Sequence, residues 1–143
     1  SASSPPQQHM TTRRQRQMCI RDSLIKFGKS LTKMCNVFDI DIEMNEKPVG
    51  RGYTILDTDK HPWSMKNKNI HAHEFHYSSV KFNKKRYKYA YNVKRGYGIN
   101  GRKDGLIYKN TIASFSHLRS TSKFNWAKYF IKFIEQNNGQ TNL

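Results

Sequence analysis

A chain of 143 residues with 26 Lys or Arg against 10 Asp or Glu, net charge +16, holds one domain's worth of core and carries either a plain basic surface or a site for an anionic partner: nucleic acid, an acidic membrane face or an anionic substrate. Apolar residues make up only 36%, but aromatics reach 13%, so a folded domain with ragged ends is expected. No apolar run approaches the roughly 20 residues that span a bilayer, residues 1–17 lack an apolar signal core, and two cysteines are too few for a disulfide framework, so a cytoplasmic protein is expected.

Residues 1–23 differ from the rest. Ser1-Ala-Ser-Ser-Pro-Pro-Gln-Gln8 is disorder-prone, and Thr11-Thr-Arg-Arg-Gln-Arg-Gln17 is basic without an apolar period. Arg14–Ser23 also resembles translated sequencing-adaptor sequence, so residues 1–23 are read as a disordered or artefactual leader. Residues 24–143 form the domain proper and remain strongly basic.

From Met34 the pattern changes. Val37, Phe38, Ile40 and Ile42 alternate with Asp39, Asp41 and Glu43, which predicts a strand. Pro48, Gly50 and Gly52 interrupt it, and Tyr53–Leu56 resumes as a second strand. A polar loop over 57–69 carries His61-Pro62-Trp63. Ile70–Val80 is a third strand, Asn83-Lys84-Lys85 a turn, and Arg86–Val93 a fourth strand. Gly105–Lys109 and Thr111–His117 add two short strands around Asn110. Ala127, Phe130, Ile131 and Ile134 then recur at helical spacing, with Ser122 as the expected cap and fraying into Asn137-Asn138-Gly139.

Four stretches invite a functional reading. Gly96-Tyr-Gly98-Ile-Asn-Gly101 has the spacing of a dinucleotide loop, but Arg102-Lys103-Asp104-Gly105 and another strand follow instead of a helix. Asn100-Gly101 is therefore a hairpin turn. In His71–Ser78, strand alternation places His71, His73, Phe75 and Tyr77 on one face, and Ala72, Glu74, His76 and Ser78 on the other. His71 and His73 could share an ion, but no third ligand is evident, so no metal is assigned. Tyr87, Tyr89 and Tyr91 interleave with Lys84, Lys85, Arg86 and Lys88. That pattern suits a single-strand RNA platform, or a half-buried strand with tyrosines inward, and the second is preferred. His117 ends an apolar strand just before a polar turn, a position where reactive groups sit in α/β enzymes. It is either a buried structural imidazole or a general base, and as a base it needs a nucleophile. Cys19 lies in the leader, and Cys35 enters a strand without a Gly-flanked elbow, so neither is convincing.

Lys47-Pro-Val-Gly-Arg-Gly-Tyr53, His73-Glu-Phe-His-Tyr-Ser78, Asp104-Gly-Leu-Ile-Tyr-Lys-Asn110 and Ala113-Ser-Phe-Ser-His-Leu118 occur in one order at suitable distances. Together they resemble the C-terminal half of the glutamine amidotransferase domain of cobyrinic acid a,c-diamide synthases, over about 24–136. His61-Pro-Trp63 and Arg119 resemble the siroheme amidase-like subgroup. The resemblance implies an α/β, flavodoxin-like class I amidotransferase domain, here as its β-rich portion with a C-terminal amphipathic helix. It implies a cytoplasmic ATP-dependent amide synthase that amidates the a and c acetate carboxylates of a tetrapyrrole with ammonia from glutamine. In such enzymes a cysteine attacks the glutamine carboxamide and a histidine, matching His117, takes its proton. The cysteine, the ATP and Mg2+ sites and the synthetase domain are expected upstream, outside this chain, which alone should then be inactive. Related amidotransferases place a Glu two residues after the histidine; Arg119 stands there, and Glu74 is the candidate orienting carboxylate. His73, His76, Tyr77 and Ser78 are the expected pocket strand. Glutamine and a tetrapyrrole carboxylate are the expected partners, with no membrane, and the alternative is a small basic β-rich RNA-binding module. A chain lacking its partner strands is also expected to be marginal in isolation and prone to edge pairing.

Overall fold

Residues 24–138 other than Lys85 are described by the computed structural model, so the leader reading of residues 1–23 lies outside them. The elements in order are β1 (Leu24–Phe27), β2 (Ser30–Lys33), β3 (Ile40–Met44), β4 (Gly50–Thr58), β5 (Ile70–His76), β6 (Ser78–Phe82), β7 (Lys88–Arg95), β8 (Lys103–Tyr108), β9 (Thr111–Ala113), β10 (Ser116–Leu118) and α1 (Trp126–Asn138). They build a four-stranded sheet, order β2-β1-β3-β6, and a six-stranded sheet, order β10-β5-β4-β7-β8-β9. Among these ladders β1 and β3 pair in parallel and the rest are antiparallel.

The period-two alternation around β3 is a core signal: Phe38, Ile40 and Ile42 are completely buried. With Leu106, Ala113, Phe115 and Ile99 they form one apolar cluster. A second cluster joins Leu56, Met65, Ile70, Ala72, Ala90 and Tyr91, and Leu118, Phe124, Trp126 and Tyr129 pack onto it. The loop over 57–69, polar by composition, therefore contributes a core residue, Met65.

Strands β1 and β2 were not expected from the sequence, and three further differences shape the site. The strand expected over 70–80 is two strands in different sheets. The break falls at Tyr77, whose carbonyl accepts from both the backbone and the side-chain nitrogen of Asn45. The strand expected over 111–117 bends at Ser114 and Phe115, because Asp104 takes the Phe115 and Ser116 amides away from any ladder. Helix α1 starts at Trp126 and is capped by Asn125, whose Oδ1 accepts from the Lys128 amide at 3.0 Å. Ser122 is not the cap, because Thr121 and Phe124 close their own turn first. The Asn100-Gly101 turn does join β7 to β8, with the Gly101 amide donating to the Tyr97 carbonyl at 2.7 Å.

The helix docks through aromatic rings. Trp63 stacks on Trp126 with ring centres 6.2 Å apart and meets Phe130 at 4.9 Å. Ile131, on the expected apolar stripe, is left 55% exposed. Among the described residues no helix is long and apolar enough to cross a membrane.

What positions the candidate site is the asymmetry of β4, β5 and β10. Thr54, Leu56, Ile70, Ala72, Glu74 and His76 point into the protein, and the alternate residues face out. On that outer face, among the described residues, Tyr53, His71 and His73 are exposed.

Candidate active site on the open sheet face

Strand register brings together residues far apart in the chain. His117 on β10 lies opposite His73 on β5, and His73 lies opposite Tyr53 on β4. Directly opposed residues of an antiparallel pair share a face. Tyr53, His73 and His117 thus form a row across three neighbouring strands, and all three are exposed. The Tyr53 and His73 rings meet edge to face at 5.9 Å. An imidazole in this position can reach a group brought onto that face, and imidazole is the side chain best suited to proton transfer near neutrality.

The residues before His117 are held by one carboxylate. Asp104 is fully buried, and it accepts from the Phe115 amide at 3.1 Å, the Ser116 amide at 2.9 Å and the Ser114 hydroxyl at 2.8 Å. Its own neighbour, the Gly105 amide, adds a bond at 2.8 Å. The bend that launches β10 is therefore fixed by a side chain from β8. A Cβ on Gly105, which has φ +71°, would meet Tyr91 Cδ2 at 2.8 Å, so glycine beside this aspartate is required.

Several expected site residues lie elsewhere. Glu74 opposes Ser116, not His117, and is directed to the inner face, so it does not orient the His117 imidazole. Its oxygens instead accept from the Tyr97 amide at 2.6 Å and the Gly98 amide at 2.8 Å. His76 is likewise buried, stacked on Phe115 with centres 3.9 Å apart, with Nδ1 bonded to the Ser78 carbonyl at 2.9 Å. Ser78 is buried with its hydroxyl on Met44 Sδ, and Tyr77 occupies the break between β5 and β6. Of the expected pocket strand, only His73 shares the face of His117. The inward pairing of Glu74 with His76 was foreseeable from alternation, and Nε2 of His76 lies 3.6 Å from Glu74 Oε2. Among the described residues no group of three His, Cys, Asp or Glu could hold a metal ion. Cys35 is exposed between β2 and β3, and Cys19 lies outside the described residues.

Tyr53 and Asp104 were not picked out as site residues beforehand. Their signal was present in the motifs that end at Tyr53 and begin at Asp104, but only the β4–β5 and β5–β10 registers make it readable.

Tyr87, Tyr89 and Tyr91 are not a stacking platform. Tyr91 is 1% exposed, and Tyr87 and Tyr89 pack against the first apolar cluster. The Tyr87 hydroxyl accepts from the Asp39 amide at 2.6 Å. Tyr91 is tied to His61, whose Nε2 lies 2.9 Å from its hydroxyl, and burial raises the Tyr91 pKa. Desolvation also lowers His61 from 6.5 to about 4. His61 is therefore neutral in the folded protein, and its contribution is fully present above pH 6.5 and lost as the pH falls towards 4. Urea unfolding should show a loss of about 2 kcal/mol across that window, with a shallower slope in His61→Gln. An unchanged slope in the variant would refute this.

A strand-rich α/β domain with a clamped histidine on an open sheet face is the class these observations define. Residues 20–124 match the model of the CobB/CobQ-like glutamine amidotransferase domain, and the chain belongs to that family. It is 36% identical over 117 residues to the cobyrinate a,c-diamide synthase of Magnetococcus marinus, covering 81% of this chain and 25% of that protein. The Archaeoglobus fulgidus protein of the same name is 34% identical over 117 residues, covering 76% of this chain and 25% of its own. The Saccharolobus solfataricus one is 36% identical over 103 residues, covering 71% and 23%. The chain spans about a quarter of the length of these relatives.

Proposed function

We propose that the chain supplies the histidine of a glutamine-hydrolysing site in an enzyme of the cobyrinate a,c-diamide synthase type. A cysteine thiol from the remaining length of such an enzyme gives its proton to His117, and the thiolate attacks the side-chain carboxamide carbon of glutamine. The proton is returned to the departing nitrogen, which leaves as ammonia, and water hydrolyses the thioester to glutamate. The ammonia amidates the a and c acetate groups of a tetrapyrrole. ATP and Mg2+ would serve to activate those carboxylates in a synthetase domain of the same remaining length, whereas the flavodoxin-like, class I fold is that of the glutaminase domain of which this chain is the β-rich portion. His73 and Tyr53 flank the base and shape the surface on which glutamine lies. His61-Pro62-Trp63, which resembles the siroheme amidase-like subgroup, serves here to dock α1.

The observation that supports this reading is the placement of His117: exposed, opposite His73, and reached through a bend clamped by Asp104, in a chain of the amidotransferase domain family. It is tested by exchanging the 117 matched residues of the Magnetococcus marinus synthase for those of this chain. The chimera should amidate with glutamine, and His117→Ala should abolish that reaction while leaving amidation from added ammonium salts intact. A variant that keeps its glutamine reaction would remove His117 from the site.

A further inference from the structure

A neutral imidazole carries one N–H and one bare nitrogen. A base that offers the bare nitrogen to a thiol works best with its N–H aimed at a fixed acceptor, a role that a carboxylate commonly fills. Strands β4, β5 and β10 hold two carboxylates, Asp57 and Glu74. Glu74 is turned to the inner face and grips the Tyr97 and Gly98 amides. Asp57 lies four residues along β4 from Tyr53, about 13 Å, and is engaged by Lys94 at 2.9 Å and the Asn69 amide at 2.8 Å. The face that His117 shares instead carries Arg51, Tyr53 and Ile55 from β4 and His71, His73 and Phe75 from β5. Arg51, and Arg119 beyond β10, have only donors. Tyr53 stands two strands from β10, and His71 is diagonal to His117. His73 lies directly opposite His117, where Cβ atoms are about 4.5–5.5 Å apart and the two imidazoles can meet. His73 is itself held: the Tyr53 ring, opposite it on β4, meets it edge to face at 5.9 Å.

We propose that His73 is a positioning residue for the base: its bare nitrogen accepts the N–H of His117, fixes one tautomer and leaves the other His117 nitrogen free to take the thiol proton. This rests on the reading of His117 as the base and extends it, because a residue that merely flanked the base would contribute only bulk. Once His117 has taken the proton, both of its nitrogens donate. His73 accepts from one, and the other returns its proton to the departing nitrogen of glutamine. The two side chains project from backbones already paired in the sheet, so little freedom is lost when they bond. A neutral partner also has a consequence that a carboxylate would not: it adds no negative charge beside the thiolate that the reaction must form.

Two measurements test this. In the chain itself, with its imidazole nitrogens isotopically labelled, the His117 resonances at about pH 8, where free imidazole is neutral, should report a single tautomer. His73→Leu should turn that into a mixture, and His73→Asn, which keeps an accepting oxygen, should preserve it. Position 73 is exposed, so the fold should survive both substitutions. In the chimeric synthase, His73→Leu should lower kcat with glutamine by about tenfold or more while KM for glutamine stays within about twofold, and His73→Asn should recover most of the loss. An unchanged His117 tautomer in His73→Leu overturns the proposal, whatever the chimera does. So does a raised KM with kcat unchanged, which would make His73 a contact of glutamine. Failure of the base reading is a separate result: it is the chimera keeping its glutamine reaction after His117→Ala. Loss of that reaction in His117→Ala together with full activity in His73→Leu defeats the positioning role alone.

Discussion

Replacing Asp104 with alanine should cost roughly 4 kcal/mol, a large share of the 5–15 kcal/mol that holds a domain of this size. The carboxylate accepts from the Phe115 and Ser116 amides and from the Ser114 hydroxyl in a fully buried position. Alanine strands the buried Phe115 amide at about 1–3 kcal/mol, leaves the Ser116 amide only its bond to Ser114 Oγ at 3.1 Å, and opens a small cavity as well. The variant is expected to express poorly or unfold early in urea. Asp104→Asn keeps the shape and one accepting oxygen and should lose about half as much. Ser114→Ala removes a single hydroxyl bond and should cost about 1 kcal/mol. A purely structural role ends there. A positioning role predicts more: in the chimeric synthase, Asp104→Asn should lower glutamine-driven amidation well beyond any fall in ammonium-driven amidation. Equal falls in both would confine Asp104 to folding.

The alternation of Phe38, Ile40 and Ile42 with acidic residues was readable because burial on one side of a strand leaves a period of two. The same logic placed Glu74 with His76 and apart from His73. It failed at Tyr77, where the period runs on unbroken from Ile70 to Val80 while the chain changes sheets. Nothing local marks that break, because Asn45, more than thirty positions away, makes it. The bend at Ser114 is similar: an apolar run reads as one strand until a distant carboxylate claims its amides. The helix was legible as a helix, but its docking face was not. Ala127, Phe130, Ile131 and Ile134 carry the period, whereas Trp126 and Tyr129 join the core, because Trp63 offers a flat partner near the N-terminal end. For the site, the motifs marked His117 directly. The row it belongs to needed cross-strand register, and register is set by the whole sheet. Glu74 was the candidate partner of His117 only because Arg119 stands where related amidotransferases carry a Glu; the antiparallel pairing sets Glu74 opposite Ser116, one residue and therefore one face away from His117.

Glu74→Gln should destabilise the protein by about 3 kcal/mol although it removes no atoms of bulk. Burial opposes ionisation of this carboxyl, but the His76 ring and the Gly98 and Tyr97 amides outweigh it and hold its pKa below the ordinary value. Glutamine offers one acceptor to two converging amide donors and turns its own donors against the other. The loss is therefore of a charge-assisted clasp, not of packing. The pH dependence separates the two. A carboxyl whose folded pKa is depressed contributes fully above its unfolded value of 4.5 and loses that contribution as the pH falls through the folded value. Wild type should thus lose stability below pH 4.5, and Glu74→Gln should lose less of it over the same range. This window lies below that of His61, so a titration of urea midpoints resolves both. The turn that the carboxylate grips has no room to adjust. A Cβ on Gly96, at φ +111°, would meet Thr54 Cγ2 at 2.5 Å and Glu74 Oε1 at 2.9 Å. On the other side, a Cβ on Gly50 would meet His76 Nε2 at 2.3 Å and Glu74 Cδ at 2.8 Å. Gly50→Ala should therefore cost about 1–3 kcal/mol by overpacking, with no positive φ to share the blame. In Glu74→Ala that clash is partly relieved, so the double variant Gly50→Ala, Glu74→Ala should be more stable than the two single losses added together. Strict additivity in the double-mutant cycle would mean that Gly50 and Glu74 do not compete for the same space.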